Sequence, residues 1–153
     1  MAKPRIKGPW SQAAIDRFLA QARMPIRLSV CSAEGYPCVV SLWFMAAGEN
    51  LLCITHRDSA LAQLLQRNGK VGFEISPNEP PYFGLRGSGD CSLAPLPDRA
   101  TFEQLIERYL NDDNQTLASW LLARCDEELL LTITPRQWFS WDYRRRMASP
   151  TPA

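Results

Sequence analysis

Between Ile26 and Ser76 the hydrophobic period changes twice, from two to the helical period and back to two, and that alternation restricts the fold more than any other feature. Ile26-Arg27-Leu28-Ser29-Val30-Cys31 alternates apolar and polar residues, which predicts a half-buried strand. Ala33-Glu34-Gly35-Tyr36 supplies a turn. Residues 37–45 (PCVVSLWFM) carry Cys38, Val40, Leu42 and Phe44 on one side and Val39, Ser41 and Trp43 on the other. Such a run reads as a central strand covered on both faces. Residues 47–50 turn the chain again, and 51–55 (LLCIT) return antiparallel, which predicts a three-stranded meander.

Past Thr55 the period lengthens. His56-Arg57-Asp58-Ser59 precedes Leu61, Leu64 and Leu65 at helical spacing, Asn68-Gly69 closes the run, and residues 70–76 (KVGFEIS) read as another strand. A strand that ends in Thr and opens onto a Ser-capped helix gathers hydroxyls and free backbone N–H groups at one point, the chemistry of a phosphate cradle. Thr55 and Ser59 serve equally as a plain strand end and a plain helix cap, so both roles stay open.

Residues 1–10, with Lys3, Pro4, Arg5, Lys7 and Pro9, read as a flexible N-terminal arm. Ser11 caps a helix to about Ala22 whose apolar stripe is Ala14, Ile15, Phe18, Leu19 and Ala22, and Met24-Pro25 stops it. After a proline-rich loop at 77–81, residues 82–93 (YFGLRGSGDCSL) form a strand. Gly84, Gly87 and Gly89 do not open onto a helix as a dinucleotide fingerprint does, so they mark a twisted or bulged strand. Pro97-Asp98 starts a helix to about Leu110, a second helix covers about 116–124, and a last strand runs from 129 to 134 until Pro135 interrupts it. Residues 137–143 continue extended or irregular, and 147–153 are a loose C-terminal tail.

No linker or internal repeat divides the chain, so residues 11–146 read as one domain. Its class is mainly β (α+β), a six-stranded antiparallel split β-barrel with short flanking helices. Wide sheet edges in such a barrel predict a homodimer. A length of 153 residues, 46% apolar and 22% charged, suits that single core. A formal net charge of +1 argues against nucleic acid as a partner. No apolar run approaches a membrane span, and Asp16 and Arg17 stand where a signal peptide would be apolar, so a cytoplasmic protein is expected. The five cysteines form no CxxC pair and the one histidine, His56, has no cysteine at zinc spacing, so no metal site is expected.

The order of segments resembles the pyridoxamine-phosphate-oxidase-like family, the FMN-binding split β-barrels. The residues that carry the likeness are the strand at 37–44, Leu51 to Thr55 with Ser59 four residues on, the leucine-rich helix into Gly69-Lys70-Val71-Gly72-Phe73, a strand ending near Gly89, and the closing Trp138-Phe139-Ser140-Trp141-Asp142-Tyr143. What the resemblance implies is a homodimer with FMN at the subunit interface. The phosphate would lie where Thr55, His56, Arg57 and Ser59 converge, and the ring along Val40, Ser41, Leu42 and Trp43. Arg86, Trp138 and Trp141 are candidates to come from the partner subunit. The chain departs from the family pattern at Leu61, where many members carry a lysine, at Ser41, where proline is common, and at Asp58, whose charge sits beside the anion site.

Each residue also has an ordinary reading: Arg57 as a solvated loop residue, Trp138 and Trp141 as closures of the barrel, Arg144 to Arg146 as a solvated run. No side chain stands out as an acid or base, so no catalytic residue is assigned. The expectation is an FMN-dependent oxidoreductase acting on a small-molecule substrate or electron donor. The alternatives are a non-catalytic flavin, deazaflavin or heme module, with His56 as the sole possible axial histidine, or a barrel that holds no cofactor.

Overall fold

The computed structural model describes residues 2–148. Its strands are β1 (Arg5–Lys7), β2 (Ile26–Cys31), β3 (Pro37–Leu42), β4 (Met45–Ala47), β5 (Asn50–His56), β6 (Lys70–Ile75), β7 (Phe83–Pro95) and β8 (Glu128–Asp142). Its α-helices are α1 (Gln12–Gln21), α2 (Ala60–Arg67), α3 (Arg99–Tyr109) and α4 (Gln115–Leu122). One sheet runs β3-β2-β6-β7-β8-β5-β4, with β1 added to β8. The sheet curves without closing, which makes an α+β split barrel.

The first three helices start where side-chain oxygens cap them. Ser11 accepts from the Ala14 N–H, Ser59 from the Ala62 N–H and Asp98 from the Thr101 N–H. The α1 stripe buries Ile15 and Leu19, and α2 buries Leu61, Ala62 and Leu65. These meet Leu28, Val30, Leu51, Cys53, Phe73, Leu85, Leu131 and Ile133 from the concave side of the sheet in one core. Phe73 and Trp138 close that core edge to face, with ring centroids 5.3 Å apart. Gly87 makes room for the pair, since a Cβ there would lie 2.7 Å from the Phe73 ring.

The structure differs from the sequence reading at four places. Arg5–Lys7 is not a free arm but pairs in parallel with Gln137–Phe139. Trp10 reinforces the strap: its backbone N–H donates to Ser140 Oγ at 3.0 Å, its Nε1 to Asp142 at 3.2 Å, and its ring packs on Phe18. Second, the run 37–45 divides at Trp43-Phe44, because the Phe44 side chain is fully buried and its N–H donates to the Tyr109 hydroxyl instead of a neighbouring strand. The expected meander therefore does not form. β5 pairs with β4 and β8, while β3 pairs only with β2 and is an edge strand, with Val39 67% exposed. Third, Pro135 does not end the last strand. β8 passes through it with a bulge, Ser88 facing Gln137 and Gly89 facing Pro135, so that Arg136 is the extra residue. Fourth, β1 and β4 raise the strand count from the expected six to eight. Of the expected loose tail, Met147 turns back and its N–H donates to the Tyr143 carbonyl, while residues 149–153 lie outside those described.

Candidate functional site

Strand parity sends the two faces of β5 and β8 in opposite directions. Leu51 and Cys53, opposite Ile133 and Leu131, face the core, whereas Ile54 and His56, opposite Leu130 and Glu128, face outward. The outward face is covered by α3 and α4, and the cover is incomplete. A cavity of about 450 Å³ remains between Ser41-Leu42-Trp43, Ile54-Thr55-His56 and Glu128 on the sheet side, and Phe102 and Leu105 of α3 with Leu117 and Leu121 of α4 above them.

The α3 wall is bolted at its C-terminal end. The Arg108 guanidinium donates to the Leu19, Ala20 and Ala22 carbonyls at the end of α1, where a cation also complements the helix dipole. Next to it the Tyr109 hydroxyl donates to the Met24 carbonyl and accepts from the Phe44 N–H, both at 3.2 Å. Its ring stacks on Trp43 at 5.2 Å and 6°. Tyr109 thus fixes the bend between β3 and β4 and presents Trp43 to the cavity. Burial raises the Tyr109 pKa, ahead of the opposing hydrogen bond from Phe44.

At the start of α2 the Thr55 hydroxyl donates to Ser59 Oγ at 3.0 Å, and the same oxygen accepts from the Ala62 N–H at 3.0 Å. The Ser59 hydroxyl proton is left to donate elsewhere, as are the N–H groups of Ala60 and Leu61 in the first turn. The Leu61 side chain, by contrast, is 6% exposed and packs in the core, so this position offers a bound anion no charge. His56 Nδ1 accepts from the Asp58 N–H at 3.1 Å, which puts the ring proton on Nε2, 3.3 Å from Glu127 Oε2. Arg57 is half exposed with Asp58 3.9 Å away. Arg124 lies 3.8 Å from Glu127 and stacks over Trp120.

Of the residues anticipated from sequence, Ser41, Leu42, Trp43, Thr55 and His56 converge on the cavity. Arg57 and Ser59 flank it at the start of α2. Val40 does not reach it, because its side chain lies on the core face of β3. Trp138 does not reach it either, being 3% exposed and held against Phe73. Arg86, stacked over Phe139, and Trp141 stand on β7 and β8 away from the cavity of their own chain. The residues that sequence reading missed are Ile54, Glu128 and the four apolar side chains of α3 and α4. The helix at 98–110 was legible, with Phe102 and Leu105 at helical spacing, but that spacing carries no sign of whether they face the core or a cavity.

No protein-family model and no curated protein sequence matches the chain. Solved structures do. The conserved hypothetical protein Rv2991 from Mycobacterium tuberculosis superposes with a TM-score of 0.73 over 99% of this chain and 97% of that one, at 19% identity. HutZ, the heme storage protein from Vibrio cholerae, gives 0.64 over 80% and 89% at 18% identity. A pyridoxamine 5'-phosphate oxidase-related, FMN-binding protein from Nostoc punctiforme PCC 73102 gives 0.60 over 85% and 79% at 21% identity. The fold is that of the pyridoxamine-phosphate-oxidase-like split barrels. Proteins of this fold thus include one that binds FMN and one that stores heme. Among the described residues no group of His, Cys, Asp and Glu could hold a metal ion, and no helix is long and apolar enough to cross a membrane.

Proposed function

We propose that the cavity receives the ring of a flavin-type cofactor, FMN by preference, whose phosphate lies at the start of α2, and that the protein acts as an oxidoreductase on a small molecule. The observation that carries this reading is the convergence of Ser41-Leu42-Trp43 and Thr55-His56 on one largely apolar cavity beside a capped helix start. The residues present fit such a ligand. Ile54, Leu105, Leu121 and the Trp43 ring offer apolar surface to a flat body, and the Ser59 hydroxyl and the Ala60 and Leu61 N–H groups are free to donate to an anion, with the half-exposed Arg57 beside them and paired only with Asp58 at 3.9 Å. A flavin, when bound, supplies two-electron redox chemistry that no side chain here provides. The chain's own part is to hold the ring, hydrogen-bond its polar edge from the β3 backbone and keep water from one face.

Two features set limits on this site. Leu61 provides no ammonium, and Asp58 and Glu127 stand near the anion position, so retention should be weaker than in a barrel with a dedicated lysine. These same features favour a second reading, a barrel that holds its ligand without turnover or holds no flavin. Heme is less favoured, because both His56 nitrogens already have partners. The exposed outer face of β3, with Val39 and Ser41, supports pairing with a second copy.

The test is the visible spectrum of the purified protein before and after incubation with FMN and desalting. A retained flavin band near one equivalent, reduced by Thr55→Ala and Ser59→Ala together, supports the site. No retained band, or a band indifferent to both substitutions, overturns it.

A further inference from the structure

We infer that the cavity, when no flavin fills it, is selective for a flat apolar ligand that carries a cationic N–H head, an amidinium or ammonium group, with Glu128 as the residue that receives the head. Glu128 is the first residue of β8, and its side chain lines the cavity at 9% exposure. No hydrogen bond or ion pair to its carboxylate is formed among the described residues. The two nearest groups that could have served it are committed elsewhere: His56, directly across the ladder, points Nε2 at Glu127, and Arg124 lies against Glu127 and Trp120.

At 9% exposure the carboxylate keeps only a small contact with solvent and has no protein partner, so the N–H groups of a ligand can replace the water that it retains. Burial raises its pKa, ahead of the opposing pull of His56 and Arg124 and in the same direction as the repulsion from Glu127. The walls contributed by Ile54, Phe102, Leu105, Leu117 and Leu121 carry no donor, and of the polar lining residues Thr55 donates to Ser59 and His56 faces Glu127, so none of these serves Glu128. An amidinium presents two parallel N–H groups to a carboxylate and a planar apolar body to the leucines, whereas an anion of the same shape would meet Glu128 and Glu127 together.

This inference concerns the cavity named above but does not depend on a flavin. The probes are benzamidine, benzamide and benzoate, which share a ring and differ in the charge of the head, titrated into the protein freed of any retained flavin and followed by amide chemical shifts. Benzamidine is expected to shift Ile54, Leu105, Leu121 and Glu128, with an affinity about tenfold above that of benzoate. Glu128→Gln should remove about that tenfold preference while its unfolding transition stays cooperative. Equal affinities for benzamidine and benzoate in the wild-type protein, which needs no variant, would overturn the inference. So would benzamidine shifts that map to exposed acids such as Glu103 instead of the cavity. Flavin retention is scored separately, so a protein that binds benzamidine but holds no FMN refutes only the cofactor reading.

Discussion

Removing a single oxygen tests whether the cavity wall is built as described. In Tyr109→Phe the ring can keep its stack on Trp43, but the hydroxyl that joins the Met24 carbonyl to the Phe44 N–H is gone. Both bonds are part-buried, and each contributes about 1 kcal/mol net, so the expected loss is about 2 kcal/mol. For a chain of this length that lowers the thermal midpoint by about 4–8 °C. The assay is far-UV circular dichroism against temperature, with the near-UV band as a monitor of Trp43. Tyr109→Ala, which also removes the stack, should fall further and lose near-UV intensity. A Tyr109→Phe midpoint within about 1 °C of wild type would refute the reasoning, because the bend between β3 and β4 would then be held by something other than the phenol.

Three other outcomes are expected. Because burial raises the Glu128 pKa in the folded state, its ionisation opposes folding as pH rises above about 4.3. Glu128→Gln should therefore raise the midpoint at pH 7 and leave it unchanged at pH 3, as read by thermal melts at both. Asp142 behaves in the opposite sense. Hydrogen bonds from Arg144 first, and then from Trp10, hold its carboxyl well below the usual range, so its contribution is complete above the unfolded value of about 3.9 and is lost as pH falls below it. Asp142→Asn should flatten the acid limb of the stability profile. Of the five thiols, Cys31 should react fastest with a disulfide reagent at pH 8. Cys53 and Cys91, both buried, with the Cys91 pKa pushed up to about 11, should react only when the chain unfolds.

What could be read from sequence was local. Ser11, Ser59 and Asp98 announce helices because a cap acts within three residues of itself. Thr55 and Ser59 are brought together by the same short-range geometry, which is why the cluster of hydroxyls at the start of α2 was legible. What could not be read was non-local or depended on which face is covered. Arg5–Lys7 offers no strand pattern, and its pairing is with residues some 130 positions away, as for the Trp10 to Ser140 bond. The run at 37–45 is apolar on both faces, a pattern shared by a central strand and by an edge strand whose cover is absent from the chain. Its break at Trp43-Phe44 contains neither glycine nor proline, since the turn is made by burying Phe44 and by a phenol 65 positions on. The α3 and α4 wall was invisible as a cavity lining for a related reason: a leucine at helical spacing looks the same whether it fills a core or lines a cavity.

That ambiguity is resolved on the sheet itself, because β5 and β8 work as a two-sided partition. On one side Leu51, Cys53, Leu131 and Ile133 are each no more than 1% exposed and join a single core with α1 and α2. On the other, Ile54, His56 and Glu128 meet α3 and α4 across a gap, and α4 buries none of its residues fully, with Leu117 and Trp120 still exposed. Stability is therefore concentrated on the concave side; on the convex side α3 still buries Phe102, Leu105 and Ile106 to 4% exposure or less, and the tolerant positions are those of α4. A charge left without a partner on that convex side, 9% exposed and facing apolar side chains, is tolerated because the closed core carries the folding free energy. The same division explains why the Leu61 side chain offers nothing to an anion at the start of α2. It is a member of the concave core, and a lysine there would have to leave that core before its ammonium could reach the start of α2.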